Sequence, residues 1–478
     1  MKKQKTIHFV GIKGVGMTPL AIIAKEAGFI VSGCDIDQDF ITDNALNHSG
    51  IIPFIGFSSS HLKNIDLIIT TGAHGGFDNE EVKEAKKQNI KIITQGEAVG
   101  LFMEGSILGR KNQIGISIAG SHGKTTTTAM IATILKENKM DPSFLIGTGN
   151  ISSLGEPGHF GKGKFFVAEA DEYSTEPTHD KKVKFLWQHP QIAIFTNIEM
   201  DHPDLYSSVD QIRNEFLSFA NQLPPNGLLI ANGDDRELKK LLSEYKGRVI
   251  KFGYSSENDY ILRRVSVSGT QTFFWVESGG TNLGEFSIQV FGEHNAVNAL
   301  SAAITGIELG LNVQDIKKGL SKFKGSERRA EFIGTLESGA LLYDDYAHHP
   351  TEIKKTLKAF KQSFPNLKIV CIFQPHTFSR TKILFDEFVH SFSDADTIVI
   401  IDVYPSLREK SDFGVSSRML VESVKKFHPN AVFLSGIKEA SAFINEQKFN
   451  KNTVVITMGA GDVYKIKDRL NLHHEEKV

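Results

Sequence analysis

Phosphate chemistry is indicated by one short segment, Gly120-Ser121-His122-Gly123-Lys124-Thr125-Thr126. Glycines allow backbone N–H groups to turn toward phosphate oxygens, and a helix N-terminus adds a partial positive charge. Lys124 supplies a point charge for the β- and γ-phosphates, and the Thr125 hydroxyl can ligate Mg²⁺. The segment follows an apolar, strand-like run at 114–119 and precedes a helix-like run at 127–135. This order predicts a P-loop that binds a nucleoside triphosphate.

Two further segments place acids and an imidazole after strand-like runs, Glu169-Ala170-Asp171-Glu172-Tyr173 and Asn197-Ile198-Glu199-Met200-Asp201-His202. Because the carboxyl ends of parallel strands meet at one edge of a sheet, both segments are expected beside the P-loop. Phosphoryl transfer requires Mg²⁺ to neutralise charge, so Glu169 and His202 are candidate metal ligands. The alternative is that these acids cap loops on a solvated edge, and it is strongest for Asp171, Glu172 and Asp201.

A second glycine-rich loop, Gly11-Ile12-Lys13-Gly14-Val15-Gly16, lies near the start of the chain between a predicted strand and a predicted helix. It departs from the dinucleotide fingerprint at Lys13, which stands where the second glycine is usual. Three interpretations stay open from the residues alone: a diphosphate site, an NAD(P) site and a structural turn. Asp35, at the end of the next strand, is a candidate ribose contact or a cap for the following element.

Alternating strand and helix patterns run through the whole chain and predict an α/β fold with mostly parallel sheets. The patterns divide into three domains, 1–108, 109–325 and 326–478. Within the middle one, residues 259–290 alternate polar and apolar and predict antiparallel strands. The tail from His473 to Val478 is expected to be disordered.

The composition is typical of a soluble enzyme of the cytoplasm. The chain has 478 residues and a formal net charge of -2, which gives no basic field for nucleic acid. Its two cysteines, Cys34 and Cys371, lie in apolar runs and are expected to be buried thiols. Neither a signal peptide nor an apolar run long enough for a membrane span is recognised, so no membrane partner is expected.

Taken together, the motifs resemble the Mur ligase family over nearly the whole chain. The matching pieces are GIKGVGM at 11–17, AGSHGKTTTT at 119–128, EADEY at 169–173, NIEMDHPD at 197–204, GEHNAVNAL at 292–300, ERRAEF at 327–332, DDYAHHPTEI at 344–353, FQPHTFSRT at 373–381 and MGAGD at 458–462. The resemblance implies an N-terminal Rossmann-like domain for a UDP-sugar, a central P-loop ATPase domain and a C-terminal Rossmann-like domain for the amino acid.

Within the family, the motifs are most similar to the branch that adds L-alanine to UDP-N-acetylmuramate. That similarity implies an ATP- and Mg²⁺-dependent, amide-forming ligase of peptidoglycan precursor synthesis, and so of cell wall biogenesis. ATP would phosphorylate the lactyl carboxylate of the sugar, and the amine of L-alanine would attack the acyl phosphate. The expected partners are these small molecules, and the expected oligomeric state is a monomer or a dimer.

The resemblance also implies a role for individual residues. The diphosphate of the UDP-sugar is assigned to the first glycine loop, by Gly11, Lys13, Gly14, Val15, Gly16 and Asp35. ATP is assigned to the P-loop, Gly120, Ser121, His122, Gly123, Lys124, Thr125 and Thr126, together with His294, Asn295, Arg329, Asp345 and Tyr346. The metal ions are assigned to Thr125, Glu169 and His202. The catalytic set is Lys124, Glu169, His202, Arg329, His376 and Arg380, of which His376 and Arg380 would face the incoming amino acid.

One segment favours a different acceptor. The stretch at 174–190 is longer than the alanine-adding branch leads us to expect, and its DKKVKF portion is similar to the ligase that attaches a recycled murein tripeptide to the same sugar. FQPHTFSRT favours L-alanine. The tripeptide L-Ala-γ-D-Glu-meso-diaminopimelate therefore stays open as the alternative acceptor. His348 and His349 also have a simpler interpretation, as caps of a helix that begins near Thr351.

Overall fold

The computed structural model describes residues 4–176, 178–203, 205–405, 409, 412–447 and 449–473. Each of the three segments anticipated from the sequence contains one large sheet with helices packed on it, so the α/β fold class is confirmed. Among the described residues, none of the helices combines the length and apolar character that crossing a bilayer requires.

The first sheet has five strands in the order β3-β2-β1-β4-β5, and every pair is parallel. Its elements are β1 (Thr6–Val10), α1 (Thr18–Glu26), β2 (Ile30–Asp35), α2 (Asp43–His48), β3 (Phe54–Ile55), β4 (Leu67–Thr70), α3 (Glu80–Lys87), β5 (Lys91–Thr94) and α4 (Gln95–Met103). The buried strand β4 is almost entirely apolar, and β1 is apolar apart from Thr6 and the buried His8, as expected of a sheet that is covered on both faces.

The second sheet has ten strands in the order β17-β16-β15-β14-β13-β12-β6-β9-β7-β8. Its strands, with one separate hairpin of β10 and β11, are β6 (Ile114–Ala119), β7 (Ser143–Leu145), β8 (Gly158–His159), β9 (Phe165–Ala170), β10 (Ser174–Glu176), β11 (Asp180–Val183), β12 (Ile192–Phe195), β13 (Leu228–Asn232), β14 (Arg248–Gly253), β15 (Tyr260–Ser268), β16 (Gln271–Ser278) and β17 (Thr281–Ile288). The helices are α5 (Lys124–Glu137), α6 (Val209–Ala220), α7 (Arg236–Glu244), α8 (Glu293–Glu308) and α9 (Val313–Leu320).

Strand direction divides this sheet into two parts. From β15 to β9 the neighbours are parallel, whereas β15, β16 and β17 pair antiparallel, as their alternating sequence predicts. Helix α5 begins at Lys124, three residues before the predicted start at 127. The apolar periodicity begins only after the threonines, and the backbone already turns helical at the P-loop lysine.

The third sheet has seven strands in the order β22-β21-β20-β23-β19-β18-β24. Its elements are β18 (Glu331–Leu336), β19 (Leu341–Asp345), α10 (Pro350–Ser363), β20 (Lys368–Phe373), α11 (Phe378–Ile383), α12 (Phe385–Val389), β21 (Thr397–Ile400), α13 (Ser417–Val424), β22 (Ala431–Phe433), α14 (Ile437–Gln447), β23 (Thr453–Met458) and β24 (Leu472–His473). His473 pairs with Thr335, so the disorder predicted for the tail is wrong at that residue, and 474–478 lie outside the described residues.

Candidate active site

Three neighbouring parallel strands bring the predicted catalytic segments together. In the central sheet β6 lies between β9 and β12, so the P-loop that follows β6 has an acidic strand end on each side. Glu169 is the fifth residue of β9, and Asn197 follows β12 by two residues. The sheet topology therefore explains why motifs far apart in sequence share one site.

The P-loop depends on a left-handed glycine and on a hydrogen bond to the neighbouring strand end. Gly123, which caps α5, has φ +84°, and a Cβ there would lie 2.6 Å from Asn298 Oδ1. The backbone N–H of His122 donates to Asn197 Oδ1 at 2.9 Å, which fixes the loop to the end of β12. The close approach of Asn298 therefore favours glycine at position 123, and the hydrogen bond favours a polar side chain at position 197.

Lys124 is held by groups at the base of the loop. Its Nζ donates to the Gly120 carbonyl at 2.6 Å and to Glu172 Oε2 at 2.9 Å. Burial would lower the pKa of Lys124, but the carboxylates of Glu172 and Asp171 raise it above its usual value. Lys124 therefore stays a cation, positioned by Glu172 rather than by solvent.

Thr125 and Glu169 form a second polar pair next to this lysine. Thr125 Oγ1 donates to Glu169 Oε2 at 3.0 Å, and Arg329 Nη2 lies 3.3 Å from the same hydroxyl oxygen. Burial and the charge of Asp171 raise the pKa of Glu169. A cation bound here would reverse that effect, and a hydroxyl with a carboxylate is a donor set that suits Mg²⁺.

His202 lies in a different cluster from Glu169. Its Nε2 is 3.5 Å from Glu172 Oε1 and 3.8 Å from Asp201 Oδ2, and the donor atoms of these three residues lie within 4.8 Å of one another. Burial opposes protonation of His202, but Asp201 and Glu172 raise its pKa. Glu172 contacts both Lys124 and His202, so it connects the P-loop lysine to the His202 cluster.

The P-loop histidine belongs to a network that joins the central sheet to the third. His122 Nδ1 lies 3.1 Å from Glu352 Oε1, and its Nε2 lies 3.4 Å from Glu199 Oε2. Thr351 Oγ1 donates to the same Glu199 oxygen at 2.5 Å. Burial alone would lower the pKa of His122, but the two carboxylates raise it to about 9.

This raised pKa makes stability depend on pH in a defined direction. Because the folded pKa of about 9 exceeds the unfolded value of 6.5, the stabilisation is fully present below pH 6.5 and is lost as the pH rises through 9. We expect the melting temperature to fall across this interval, and His122→Gln to reduce the fall. His48→Gln, at a side chain that is 69% exposed, serves as the control. An identical pH dependence in wild type and His122→Gln would contradict the assignment.

A cavity of about 460 Å³ adjoins the P-loop and accounts for most of the predicted nucleotide residues. Seven of them line it: His122, Gly123, Thr126, His294, Asn295, Arg329 and Asp345. Burial lowers the pKa of His294 to about 4, so this imidazole is neutral near pH 7. Asn295 Nδ2 donates to the Phe291 carbonyl at 2.9 Å, which orients the amide at the start of α8.

Two adjacent arginines connect the central and C-terminal sheets. Arg328 is buried, donates from Nε to Asp344 Oδ2 at 2.9 Å, and has φ +61°. Arg329 lies over the Tyr346 ring, with 4.9 Å from Cζ to the ring centroid, and reaches the nucleotide cavity. Asp345 accepts from the N–H groups of Ala330 and Ala347, and burial raises its pKa to about 6. Arg328 thus anchors the connection and Arg329 extends into the site.

The first glycine loop is braced from behind by Asp35. Its Oδ2 accepts from the Lys13 N–H at 2.8 Å, and its Oδ1 lies 3.2 Å from His74 Nε2. The Lys13 ammonium donates to the Gln38 carbonyl at 2.8 Å and lies 3.4 Å from Asp43. In this structure Asp35 and Lys13 therefore stabilise the loop and its surroundings, while the backbone at 14–16 leads into α1, which begins at Thr18.

The predicted amino-acid residues meet an acid of the central domain. Arg380 is buried, and its Nε and Nη2 both donate to Asp201 Oδ1, at 2.9 and 2.6 Å. Its Nη1 donates to the His376 carbonyl at 2.6 Å. Burial and the nearby Arg380 charge hold the pKa of His376 well below its usual range, so its imidazole is neutral. Arg380 thus joins the C-terminal domain to the acidic edge of the central one.

The long segment after β9 lies against the N-terminal domain. Thr175 accepts from the Gly72 N–H through its carbonyl oxygen at 2.9 Å and from the Gly96 N–H through Oγ1 at 3.0 Å. A Cβ at Gly72 would lie 2.3 Å from the Thr175 carbonyl oxygen. His179 Nε2 lies 3.0 Å from Asp78 Oδ2. The insertion therefore forms an interdomain contact, which gives it a structural role in an enzyme with either acceptor.

Some residues of the site, and some contacts of residues already named, were not predicted from the sequence. Glu352 and Thr351 bind the P-loop network, and His349 caps α10 in a reciprocal capping box with Glu352. The capping interpretation of His349 is therefore confirmed, and His-His-Pro-Thr-Glu before an apolar run was its signal. His74, which lies in a glycine-rich turn after β4 and contacts Asp35, was not predicted as a residue of the site. The pairing of Asp201 with Arg380 had none.

Three segments of this chain match sequence profiles of a known protein family. The sequence profile described as "Mur ligase family, catalytic domain" matches residues 6–106. The profile "Mur ligase middle domain" matches residues 118–306, and "Mur ligase, glutamate ligase domain" matches residues 328–461. Together these matches cover most of each of the three sheets.

Individual relatives match over nearly their full length. The chain is 39% identical over 466 residues to UDP-N-acetylmuramate–L-alanine ligase of Clostridium acetobutylicum, covering 97% of this chain and 96% of the relative. The identity is 36% over 465 residues for the protein of the same name from Desulfitobacterium hafniense, covering 97% and 99%. The crystal structure of UDP-N-acetylmuramate–alanine ligase MurC from Thermotoga maritima is 28% identical, with a TM-score of 0.79 and 97% of each chain covered.

Proposed function

Because this chain belongs to the Mur ligase family, we propose that it is an ATP-dependent ligase that joins L-alanine to the lactyl carboxylate of UDP-N-acetylmuramate in peptidoglycan precursor synthesis. The observation that carries the proposal is the near full-length similarity to relatives named for this reaction. The phosphate loop with a charged Lys124 supports it, because an amide bond formed from a carboxylate must be driven by ATP.

The chemistry follows from the poor reactivity of a carboxylate. Attack by an amine on a free carboxylate would have to expel oxide, so ATP first phosphorylates the lactyl carboxylate to an acyl phosphate. The L-alanine amine adds to that carbonyl carbon, and the tetrahedral intermediate expels phosphate. The protein mainly positions the reactants and neutralises charge, which are roles that suit Lys124 and Arg329.

Magnesium is part of the proposal. Thr125 and Glu169 would hold one ion and His202, in its separate cluster, would hold another, and the hydroxyl and carboxylate oxygens beside Lys124 fit a hard cation. The metal would supply charge neutralisation on the phosphates during transfer. Glu172, between Lys124 and His202, orients both side chains and keeps the lysine charged.

The remaining substrate roles are assigned by position. We propose that His294 and Asn295 contact the adenine and that Arg329, Asp345 and Tyr346 complete the ATP site from the C-terminal domain. The first glycine loop, with Gly11, Gly14 and Gly16, would hold the uridine diphosphate. His376 and Arg380 would receive L-alanine, and an Arg guanidinium is suited to its carboxylate.

Domain limits and cellular setting complete the proposal. The domain limits at 1–108, 109–325 and 326–478 stay predictions, with the polar segment before β6 and the Arg328–Arg329 connection as their physical markers. We also propose that the protein is cytoplasmic and that it is a monomer or a dimer.

The deciding experiment measures phosphate release with ATP, Mg²⁺ and UDP-N-acetylmuramate. We expect turnover with L-alanine and little with L-Ala-γ-D-Glu-meso-diaminopimelate. The interdomain role of the 174–190 segment supports this expectation, because its length is then explained without a larger acceptor. Turnover with the tripeptide alone would make this a recycling enzyme and the proposal wrong.

A further inference from the structure

A buried cluster of metal-binding side chains lies in the N-terminal domain, apart from the nucleotide cavity. It consists of His8 on β1, Cys34 on β2, Glu81 on α3 and His61 in the single-turn helix Ser59–Leu62. His8, Cys34 and Glu81 are fully buried, and the side chain of His61 is 14% exposed. Three of these side chains, from separate elements, thus direct polar atoms to the carboxylate of Glu81.

The carboxylate of Glu81 is the centre of this cluster. Its Oε2 lies 3.0 Å from His8 Nε2 and 2.9 Å from Cys34 Sγ, and its Oε1 lies 2.5 Å from His61 Nδ1. The donor atoms of His8, Cys34 and Glu81 lie within 4.8 Å of one another. Ligand atoms around a tetrahedral Zn²⁺ are separated by about 3.3–3.7 Å, so small side-chain shifts would accommodate an ion.

We infer that His8, Cys34, His61 and Glu81 form a binding site for a thiophilic transition-metal ion of the Zn²⁺ class. One thiolate, two imidazoles and one carboxylate make a four-ligand set for a borderline-soft cation, and they leave Mg²⁺ and Ca²⁺ disfavoured. Among the described residues, the other two clusters of this kind hold no thiol and adjoin the P-loop, so they are chemically distinct.

The Cys34 thiol and the Ser58 N–H both donate hydrogen bonds to the Glu81 carboxylate, to Oε2 at 2.9 Å and to Oε1 at 2.7 Å respectively. Metal binding would break the Cys34 S–H bond, form a sulfur–metal bond and release that proton to solvent.

A surrounding shell of hydrogen bonds orients the ligands. His8 Nδ1 lies 2.9 Å from Ser32 Oγ, which leaves Nε2 directed into the cluster, and the His61 ring stacks on Phe54 at 4.3 Å between centroids. Outer partners of this kind fix the ring orientation of metal-bound histidines. The Cys34 carbonyl accepts from the Gly11 and Ile12 N–H groups, so the site lies directly behind the first glycine loop.

Cobalt spectroscopy on the full-length protein tests the inference. We expect stoichiometric Co²⁺ to give a thiolate-to-cobalt charge-transfer band that Zn²⁺ abolishes. The band should disappear in Cys34→Ser and persist in Cys371→Ser, which changes the other cysteine of the chain. Because a thiol is required for the band, Co²⁺ at the nucleotide site would not produce it.

A second variant guards against misfolding of Cys34→Ser. His61→Phe keeps the stacking on Phe54 and removes one ligand at the least buried position, and we expect Co²⁺ to bind at least about tenfold more weakly. Absence of the band in the wild type, its persistence in Cys34→Ser, or unchanged affinity in a folded His61→Phe would each overturn the inference. None of these readouts depends on ligase activity.

Discussion

Replacing Lys124 by alanine should reduce ATP-dependent phosphate release by about 10³-fold, which is the order of loss seen when a preorganised charge is removed from a transferring or developing anion. In the folded protein the Lys124 side chain is 13% exposed, cationic and fixed by Gly120 and Glu172. Alanine removes the lysine charge that the P-loop is expected to direct at the phosphates. Steady-state phosphate release with saturating UDP-N-acetylmuramate and L-alanine measures the effect.

The matched control is Lys136→Ala, at the exposed last turn of the same helix. It should keep wild-type turnover, because its ammonium contacts only the Ser153 and Leu154 carbonyls. Loss of Lys124 also leaves the buried Glu172 without its cation, so a thermal unfolding curve must accompany the assay. Near-normal turnover in a folded Lys124→Ala protein would contradict the assigned role.

The sequence was most informative where one segment carries a complete physical signal. The P-loop could be predicted because the apolar strand, the glycines and the Lys-Thr pair adjoin one another, and the strand at 114–119 was located to the residue. The edge to which Glu169 and His202 belong followed from parallel topology alone. The P-loop signal is local, because a short window of residues determines its backbone geometry. The shared edge follows instead from the parallel direction of the strands.

Contacts between distant segments could not be predicted in this way. Asp201 and Arg380 are 179 positions apart, and only the packed domains place the carboxylate against the guanidinium. Glu352 lies in the first turn of α10, but its contact with His122 depends on how the third sheet approaches the second. Such pairs depend on relative domain placement, on which periodicity and composition carry no information.

The segment at 174–190 shows that a short sequence pattern can mislead when the domain it packs on is not known. The sequence DKKVKF at 180–185 suggests a tripeptide acceptor. In the fold, however, β10 and β11 pair with each other and pack on the N-terminal domain. Glu172 and Lys184 flank this hairpin and bind Lys124 and Asp171 respectively. One segment therefore connects the phosphate lysine to the domain of the first glycine loop, and its length serves that connection.

Replacing Arg380 by alanine should destabilise the fold by about 3–5 kcal/mol and lower kcat/KM for L-alanine by about 100-fold. The variant leaves the buried Asp201 carboxylate without the guanidinium that holds it across the domain interface. Denaturant unfolding and steady-state kinetics measure the two effects, and Lys382→Ala, at an exposed position of the same helix, should change neither. Asp201→Asn separates the two roles, because it weakens the interface but keeps the Arg380 charge for the substrate carboxylate. A larger KM for L-alanine in Arg380→Ala than in Asp201→Asn is therefore expected, and equal KM values would reduce Arg380 to an interface residue.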